Sequence, residues 1–445
     1  MISESASSRR RLQGDPLSIM SSVCVLWAQY GPYHFARVAA LQRLLGEGRV
    51  HAVEIASQTE AYAWSRNAPS LRLHTLCENA AAEHVSFRKV FLRARYKLNE
   101  LGAEVCLLPS YSPKQSLAAL LAAKSLGLKT VMMNESHAGT ARASGLASWV
   151  KRRLIAMFDA ALVGGNPQKR YFAAMGLPQA RIFTGYDAVD NDYFARRTDE
   201  VRSKSSEFRG QYGLPEHYFL SLGRLVAKKN LDTVIRAYHQ FLAASKIKQT
   251  HLVMVGSGEQ EPKLRALCTD LHLPIYDHVR QALWAQNAPR STLVMESPGV
   301  HFYGFRQIDQ NPVFYALADA FVLASLYEEW GLVVNEAMAS GLPVVVSETA
   351  GCAEDLLEMG YPASTSSADQ ESIQQSRLAP KLRRNGFVFS PGCAEELSRI
   401  LRALESQPNL RIGMGEESRR IVEKFSCQSF AENAMNAVSS CLPGY

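Results

Sequence analysis

Arg224 and Lys229 share the stretch Ser221–Asn230 (SLGRLVAKKN), where an apolar run closes and a helical period opens. A guanidinium offers a two-pronged hydrogen bond and an ammonium a compact charge. Together they suit a diphosphate and would neutralise the charge that develops as it leaves. Gly223 beside them permits close backbone approach. A second strand-to-helix turn, Val255–Glu259 (VGSGE), holds Gly256; a G-x-G of this kind marks a tight turn as readily as a ligand contact. The third stretch, Tyr327–Pro343 (YEEWGLVVNEAMASGLP), leaves the apolar run Phe321–Ser325 and enters a helix. Its start, Trp330, Gly331, Leu332 and Val333, would present backbone amides and a dipole to an anion. Glu328 precedes this helix and Glu336 lies on it, so both can reach a cleft at different depths. Carboxylates accept from vicinal hydroxyls, which suits a ligand carrying such hydroxyls at two places. A preference for acid in the first turn accounts for Glu328 and Glu329. It does not account for Glu336, inside a helix of small and apolar residues. A fourth stretch, Thr349–Asp355 (TAGCAED), puts small residues at the next strand end.

The first half offers two further loops. Gly31-Pro32-Tyr33-His34 follows an apolar run and opens a helix, and Asn134-Glu135-Ser136-His137 follows the run Thr130–Met133. Gly185–Phe194 carries Asp190 and Asp192 at a spacing that a metal could use; the segment reads instead as a loop ending the first domain, and no metal is expected there.

These loops need strands and helices to hold them. From Ser18 onward short apolar runs alternate with helical periods, the pattern of a parallel sheet covered on both faces. Strands are expected near 20–27, 50–55, 104–108, 129–133, 160–164 and 181–185, with helices near 34–45, 85–99, 113–126, 147–157 and 167–175. A second series has strands near 217–222, 251–255, 300–304, 321–325, 343–347 and 386–389, with helices near 230–245, 260–270, 312–318, 332–340 and 394–405. The reading is α/β, two Rossmann-like domains facing across a cleft where both sheets present their carboxyl ends. Residues 1–16 read as a disordered tail, 17–195 as the first domain, 196–214 as a polar linker, and 215–425 as the second domain. Residues 426–445 read as a helix packing back on the first, and 275–299 and 359–384 as surface excursions.

At 445 residues the chain suits two domains of about 200 residues each. Hydrophobic content of 47% with 20% charged residues is that of an ordinary globular protein. The net charge of +7 resides in the first 200 residues, the remainder being slightly acidic. Arg88, Lys89, Arg93, Arg95 and Lys97, and Lys151, Arg152 and Arg153, interleave with Phe87, Phe91, Leu92, Leu154 and Ile155. Such interleaving suits a helix lying on anionic lipid and equally a solvated helix face. A nucleic-acid partner is not expected, since no binding motif accompanies the charge. The eight cysteines are scattered without C-x-x-C or zinc spacing, which suits a reducing compartment. The apolar stretch Val23–Trp27 is far too short to span a membrane, and no signal peptide is expected. A cytoplasmic location follows, with peripheral contact at the inner face of a membrane as one reading.

The four stretches of the second half, in this order and spacing, resemble the large family of retaining glycosyltransferases of the GT-B fold labelled group 1 or family 4. The resemblance spans residues 215–425 and is most specific at Glu328–Pro343. It implies that Arg224 and Lys229 bind the donor diphosphate, Glu328 the hydroxyls of the donor sugar and Glu336 the ribose. It places Phe305 and Arg306 beside the base, and His137, with Glu135 as the alternative, beside the transferred sugar. Gly31, Tyr33 and His34 then fall on the acceptor side. The implied reaction is metal-independent, retaining transfer of a hexose-type sugar from a nucleotide-diphosphate sugar to a saccharide or lipid-linked acceptor. The nucleotide sugar is a substrate, and no cofactor is implied. Three residues depart from the family pattern: Glu329 where a small residue is common, Trp330 where Phe is usual, and Cys352 where a second Gly is frequent. An added carboxylate beside a diphosphate is unfavourable unless it points away.

Overall fold

Runs such as VCVLW, VCLL, AALV, AFVL and VVVS lack the alternation of a half-exposed strand, and every residue in them is buried. Strands apolar on both faces belong inside parallel sheets covered by helices. A computed structural model, which describes residues 22–442 except 47, 61–70, 142–144, 280–296, 364 and 366–380, shows two such sheets.

The first sheet holds β1 (Val23–Trp27), β2 (Val50–Gln58), β3 (Leu73–Ala81), β4 (Val105–Leu108), β5 (Lys129–Asn134), β6 (Ala160–Val163) and β7 (Ile182–Phe183), in the order β3-β2-β1-β4-β5-β6-β7. The second holds β8 (Tyr218–Leu222), β9 (His251–Val255), β10 (Ile275–Asp277), β11 (Val300–Phe302), β12 (Ala320–Leu323), β13 (Val344–Ser347), β14 (Leu382–Arg383) and β15 (Gly386–Phe389). Its order is β10-β11-β9-β8-β12-β13-β15-β14, parallel except for the antiparallel β14–β15 edge. Strand order reverses between β1 and β4, and again between β8 and β12. Crevices outside such reversals are where α/β sheets bind ligands. The loops flanking the two reversals carry Gly31–His34 and Arg224–Lys229 together with Glu328–Val333.

Several stretches depart from the expected elements, among them the helix Pro408–Val422, where none was expected. Residues 73–81 form edge strand β3, whose polar residues hid it, and 275–277 form edge strand β10 at the start of a segment read as an excursion. Residues 280–296 of that excursion, most of 359–384 and the expected tail 1–16 lie outside the described residues. The segment 196–214 is not an extended linker. It lies on the helices Asn191–Ser203 and Ser205–Tyr212, and Phe194, Val201 and Leu214 join the core of the second domain while Arg196, Asp199 and Glu200 are exposed. Asp190 caps the first of these helices, its Oδ1 accepting from the Tyr193 amide at 2.9 Å. The chain returns beside its first crossing, where Val189 bridges Ser426. The helix Cys427–Ser439 then buries Phe430, Ala431, Ala434 and Val438 against Val23, Val25 and Leu41 of the first domain.

Three buried histidines form a chain across the β9–β11 edge. His278 Nε2 lies 3.0 Å from His301 Nδ1, and His301 Nε2 lies 2.9 Å from His251 Nδ1. The Gly299 amide also donates to His251 Nδ1, at 3.3 Å, so that nitrogen is an acceptor and the row has one direction. Burial pushes His301 down to about 2 and His251 and His278 down to about 4. Unfolded histidines titrate near 6.5. Between those values the unfolded chain binds more protons, so this contribution to stability is complete above about pH 6.5 and declines as pH falls toward 4. The thermal midpoint is expected to drop over that interval, and to drop less steeply in His301→Gln. Equal slopes for the two proteins would contradict this assignment.

Candidate active site

Asn230, in the left-handed region at φ 54°, anchors the loop after β8 to the end of β12. Its side-chain amide donates to the Ala324 carbonyl at 3.1 Å, and Thr233 Oγ1 donates to its Oδ1 at 2.9 Å. The short turn Ala227–Lys229 is thereby held over the start of the Tyr327–Pro343 stretch. Lys229 contacts Glu328 Oε2, Lys228 Nζ lies 3.1 Å from Glu328 Oε1, and Ser325 Oγ donates to Oε2 at 3.0 Å. Burial alone would raise the Glu328 carboxyl, but Lys229 and Lys228 outweigh it and hold the group below the usual carboxylate range. Arg224, exposed, lines one narrow recess with Gly223 and Lys229. The two cations expected at a diphosphate therefore share one wall.

Glu329 is matched by Lys228, whose Nζ lies 2.8 Å from its Oε2. The added carboxylate is thus neutralised by the lysine next to Lys229, a pairing that sequence reading missed although both residues were in view. Gly256 has a packing reason of its own: a Cβ there would lie 1.9 Å from the Gly223 carbonyl oxygen, and its φ is +136°. Its amide donates to Gly304 at 2.8 Å, which sets Phe305 and Arg306 beside the same strand ends; Phe305 is exposed, and Arg306 bonds the Phe305 carbonyl at 3.0 Å.

Gly331, at φ +110°, opens the helix Leu332–Ala339, whose first turn carries Leu332 and Val333 at the carboxyl edge of the sheet. Trp330 does not send its side chain to the cleft. Its indole is fully buried, donates to Asn335 Oδ1 at 2.9 Å and packs near Phe425. Gly164 and Gly165 of the first domain make room for it, since a Cβ on either would come within 2.8 Å of the ring. Glu336 is fully buried. One oxygen accepts from Tyr315 at 3.0 Å and the other from Tyr33 of the opposite domain. Burial raises its carboxyl to about 7 against the hydrogen bonds from Tyr33, Tyr315 and Asn311.

Across the cleft, His137 is buried and its Nε2 lies 2.9 Å from the Glu328 carbonyl oxygen. The Gly139 amide donates to Nδ1 at 3.2 Å, so Nε2 carries the proton toward Glu328. Glu135 stands beside buried Asp187; burial raises both carboxyls, and Arg37, 3.9 Å from Asp187, opposes the rise. The three residues expected on the acceptor side, Gly31, Tyr33 and His34, have other partners. His34 Nδ1 accepts the Gly31 amide at 3.0 Å while its ring stacks on Trp27 at 4.4 Å, so His34 and Gly31 build the helix start. Tyr33 reaches the donor side instead.

A second set of contacts joins the domains. The Asn166 amide donates to Asp355 at 2.9 Å, Arg170 pairs with Glu354 through both amino groups, and Gln168 donates to the Glu329 carbonyl at 2.8 Å. These partners lie far apart in the chain and carry no local signal. A larger groove, of about 430 Å³, lies away from these residues and is lined by Arg202, Asp319, Arg411 and Arg419. Its guanidiniums are engaged: Arg202 with Ser340, Arg411 with Asp319, and Arg419 with Asp199.

Two facing Rossmann-like domains with this cleft are the GT-B architecture of glycosyltransferases. The Anabaena protein HepE in complex with UDP shares it at TM-score 0.63 and 16% identity, over 94% of this chain and 100% of that one. WaaG, a glycosyltransferase involved in lipopolysaccharide biosynthesis, shares it at TM-score 0.60 and 18% identity, over 95% and 100%. Residues 216–405 match the family Glycosyl transferases group 1. Among relatives in sequence, the sulfoquinovosyl transferase SQD2 of Arabidopsis thaliana is 25% identical over 327 residues, 72% of this chain and 53% of that protein. The lipopolysaccharide core biosynthesis glycosyltransferase LpsE of Rhizobium meliloti is 25% identical over 222 residues, 50% and 49%. The chain spans about half the length of these relatives.

Proposed function

We propose that this chain transfers a hexose-type sugar from a nucleotide-diphosphate sugar to an acceptor hydroxyl, with retention and without a metal, in the synthesis of a glycolipid or surface polysaccharide. The observation that carries the reading is the convergence of Arg224, Lys229, Glu328 and the start of the helix Leu332–Ala339 on one wall, opposite His137. That wall can grip a pyrophosphate. Arg224 and Lys229 stabilise it as it departs, which is commonly the largest catalytic contribution. Glu328 takes hydroxyls of the sugar, and His137 Nε2–H is placed to donate to the sugar when it exchanges the Glu328 carbonyl. The departing phosphate oxygen takes the acceptor proton, so no enzyme nucleophile is needed, unlike retaining glycosidases with two close carboxylates. HepE in complex with UDP supports a nucleotide-sugar donor. LpsE and WaaG, both of lipopolysaccharide biosynthesis, support an acceptor of glycolipid or polysaccharide type.

A thermal-shift screen of nucleotide sugars followed by product mass tests the reading. A donor-dependent product that requires an acceptor supports it, whereas a changed sugar nucleotide formed without acceptor indicates an epimerase. No nucleotide binding at all would indicate a scaffold that keeps only the fold. In Arg224→Ala, turnover is expected to vanish while the protein stays folded.

Membrane contact remains part of the proposal. Among the described residues no helix is long and apolar enough to cross a membrane. Leu92 and Tyr96 on the helix Phe87–Glu100, and Leu146, Trp149 and Val150 on the helix Gly145–Ile155, are exposed beside the basic clusters. The first helix buries Val90, Ala94 and Leu98 in the core of the first domain, and the second reaches the same core through Ile155. Co-sedimentation with phosphatidylglycerol vesicles, lost in Trp149→Ser and in high salt, is the expected behaviour. Equal recovery with phosphatidylcholine vesicles would argue for a solvated face.

A further inference from the structure

The Tyr33–Glu336 hydrogen bond joins residues 303 positions apart, one from each domain, inside the cleft. Glu336 accepts two phenol hydroxyls, and the two differ in kind. Tyr315 belongs to the same domain, is fully buried, and donates to Oε2 at 3.0 Å. Tyr33 is only partly buried and stands at the opening turn of the helix Pro32–Leu45, at the rim of the opposite domain. A phenol O–H and a ribose O–H are the same class of donor to a carboxylate. Glu336 has no exposed surface, so a ribose hydroxyl reaches it only by displacing a group that covers it, and Tyr33 is the partly exposed donor in that place.

We propose that Tyr33 sets the donor affinity of this chain by occupying Glu336 in competition with the ribose hydroxyls of the nucleotide. The inference rests on the reading that Glu336 takes the ribose. The backbone beneath Tyr33 is braced. His34 caps Gly31 and stacks on Trp27, whose indole N–H donates to Tyr186 at 3.0 Å. Pro32 at the first helical position restricts the turn further. With the backbone so held, Tyr33 releases Glu336 by rotating its own side chain, the inexpensive motion available to it. Each binding event must break this hydrogen bond before the ribose forms its own. Donor affinity is therefore lower than the site's contacts alone would allow, and nucleotide release is assisted by Tyr33 returning.

Calorimetric titration of the full chain with UDP, GDP and ADP identifies the base that binds. The same nucleotide is then titrated into Tyr33→Phe and Glu336→Gln, with inorganic pyrophosphate as the ligand lacking a ribose. Tyr33→Phe keeps the ring and drops the competing hydroxyl, so it is expected to tighten the nucleotide about tenfold and to leave pyrophosphate unchanged. Glu336→Gln is expected to weaken the nucleotide. If Glu336→Gln binds like the parent, the ribose reading itself fails. If Glu336→Gln weakens binding while Tyr33→Phe leaves it equal or weaker, Tyr33 is a bystander or an ally and the proposal is overturned. Equal tightening of pyrophosphate in Tyr33→Phe also overturns it, because the gain would then come from general opening of the cleft.

Discussion

Lys229→Ala lowers kcat for sugar transfer by about 10²–10³-fold, the cost of removing one preorganised charge from a departing group. The ammonium has two partners in this reading. It contacts Glu328 directly, and it faces the recess that Arg224 also lines. Truncation strips the diphosphate of one neutralising charge and leaves Glu328 with Lys228 and Ser325. The thermal midpoint is expected to stay within a few degrees, because this pair serves a cleft loop and not either core. Lys228→Ala should behave differently. Its ammonium divides between Glu328 and Glu329, so Lys228→Ala exposes the diphosphate to an unmatched Glu329, and Glu329→Ala in the same chain should restore most of the lost activity. Steady-state kinetics with the identified donor decide both points. A Lys229→Ala enzyme within threefold of the parent would remove Lys229 from the leaving-group role.

Trp330→Ala is expected to cost about 3–5 kcal/mol of stability, as large aromatic truncations in cores do. The indole has no exposed surface, fills the space that Gly164 and Gly165 leave by lacking side chains, and packs near Phe425. Trp330→Phe keeps most of that volume and deprives Asn335 Oδ1 of its donor, a loss of about 1–3 kcal/mol. Denaturant midpoints should rank the parent above Trp330→Phe and Trp330→Phe above Trp330→Ala. The KM for donor in Trp330→Phe should stay within about threefold. A Trp330→Ala chain of parental stability with poor donor affinity would return Trp330 to the donor contacts that the motif suggested.

The site was legible to different degrees for identifiable reasons. Arg224, Lys229 and Glu328 could be named because a parallel sheet delivers the loop after each strand to the same edge, and the order of β8 and β12 places those loops side by side. Glu336 stood out because a carboxylate within an apolar helix is costly without partners. His34 misled because a loop histidine beside a cleft looks the same in sequence whether it meets ligand or caps its own helix. The polar stretch 196–214 misled in the opposite way. Its two buried apolar residues in the core of the second domain, Val201 and Leu214, are spaced too widely among charges to read as a buried face.

What the amino-acid order determined by itself was the succession of buried parallel strands and the chemical type of each loop that follows one. Those properties depend on short-range periodicity and on backbone preference, both of which are local. Only the meeting of the two domains decided that Tyr33 takes Glu336, that His137 faces the Glu328 carbonyl, and that Trp330 is buried against Gly164 and Gly165. The shape of that meeting comes from packing between surfaces hundreds of residues apart, where no repeat or spacing along the chain records which side chains will touch.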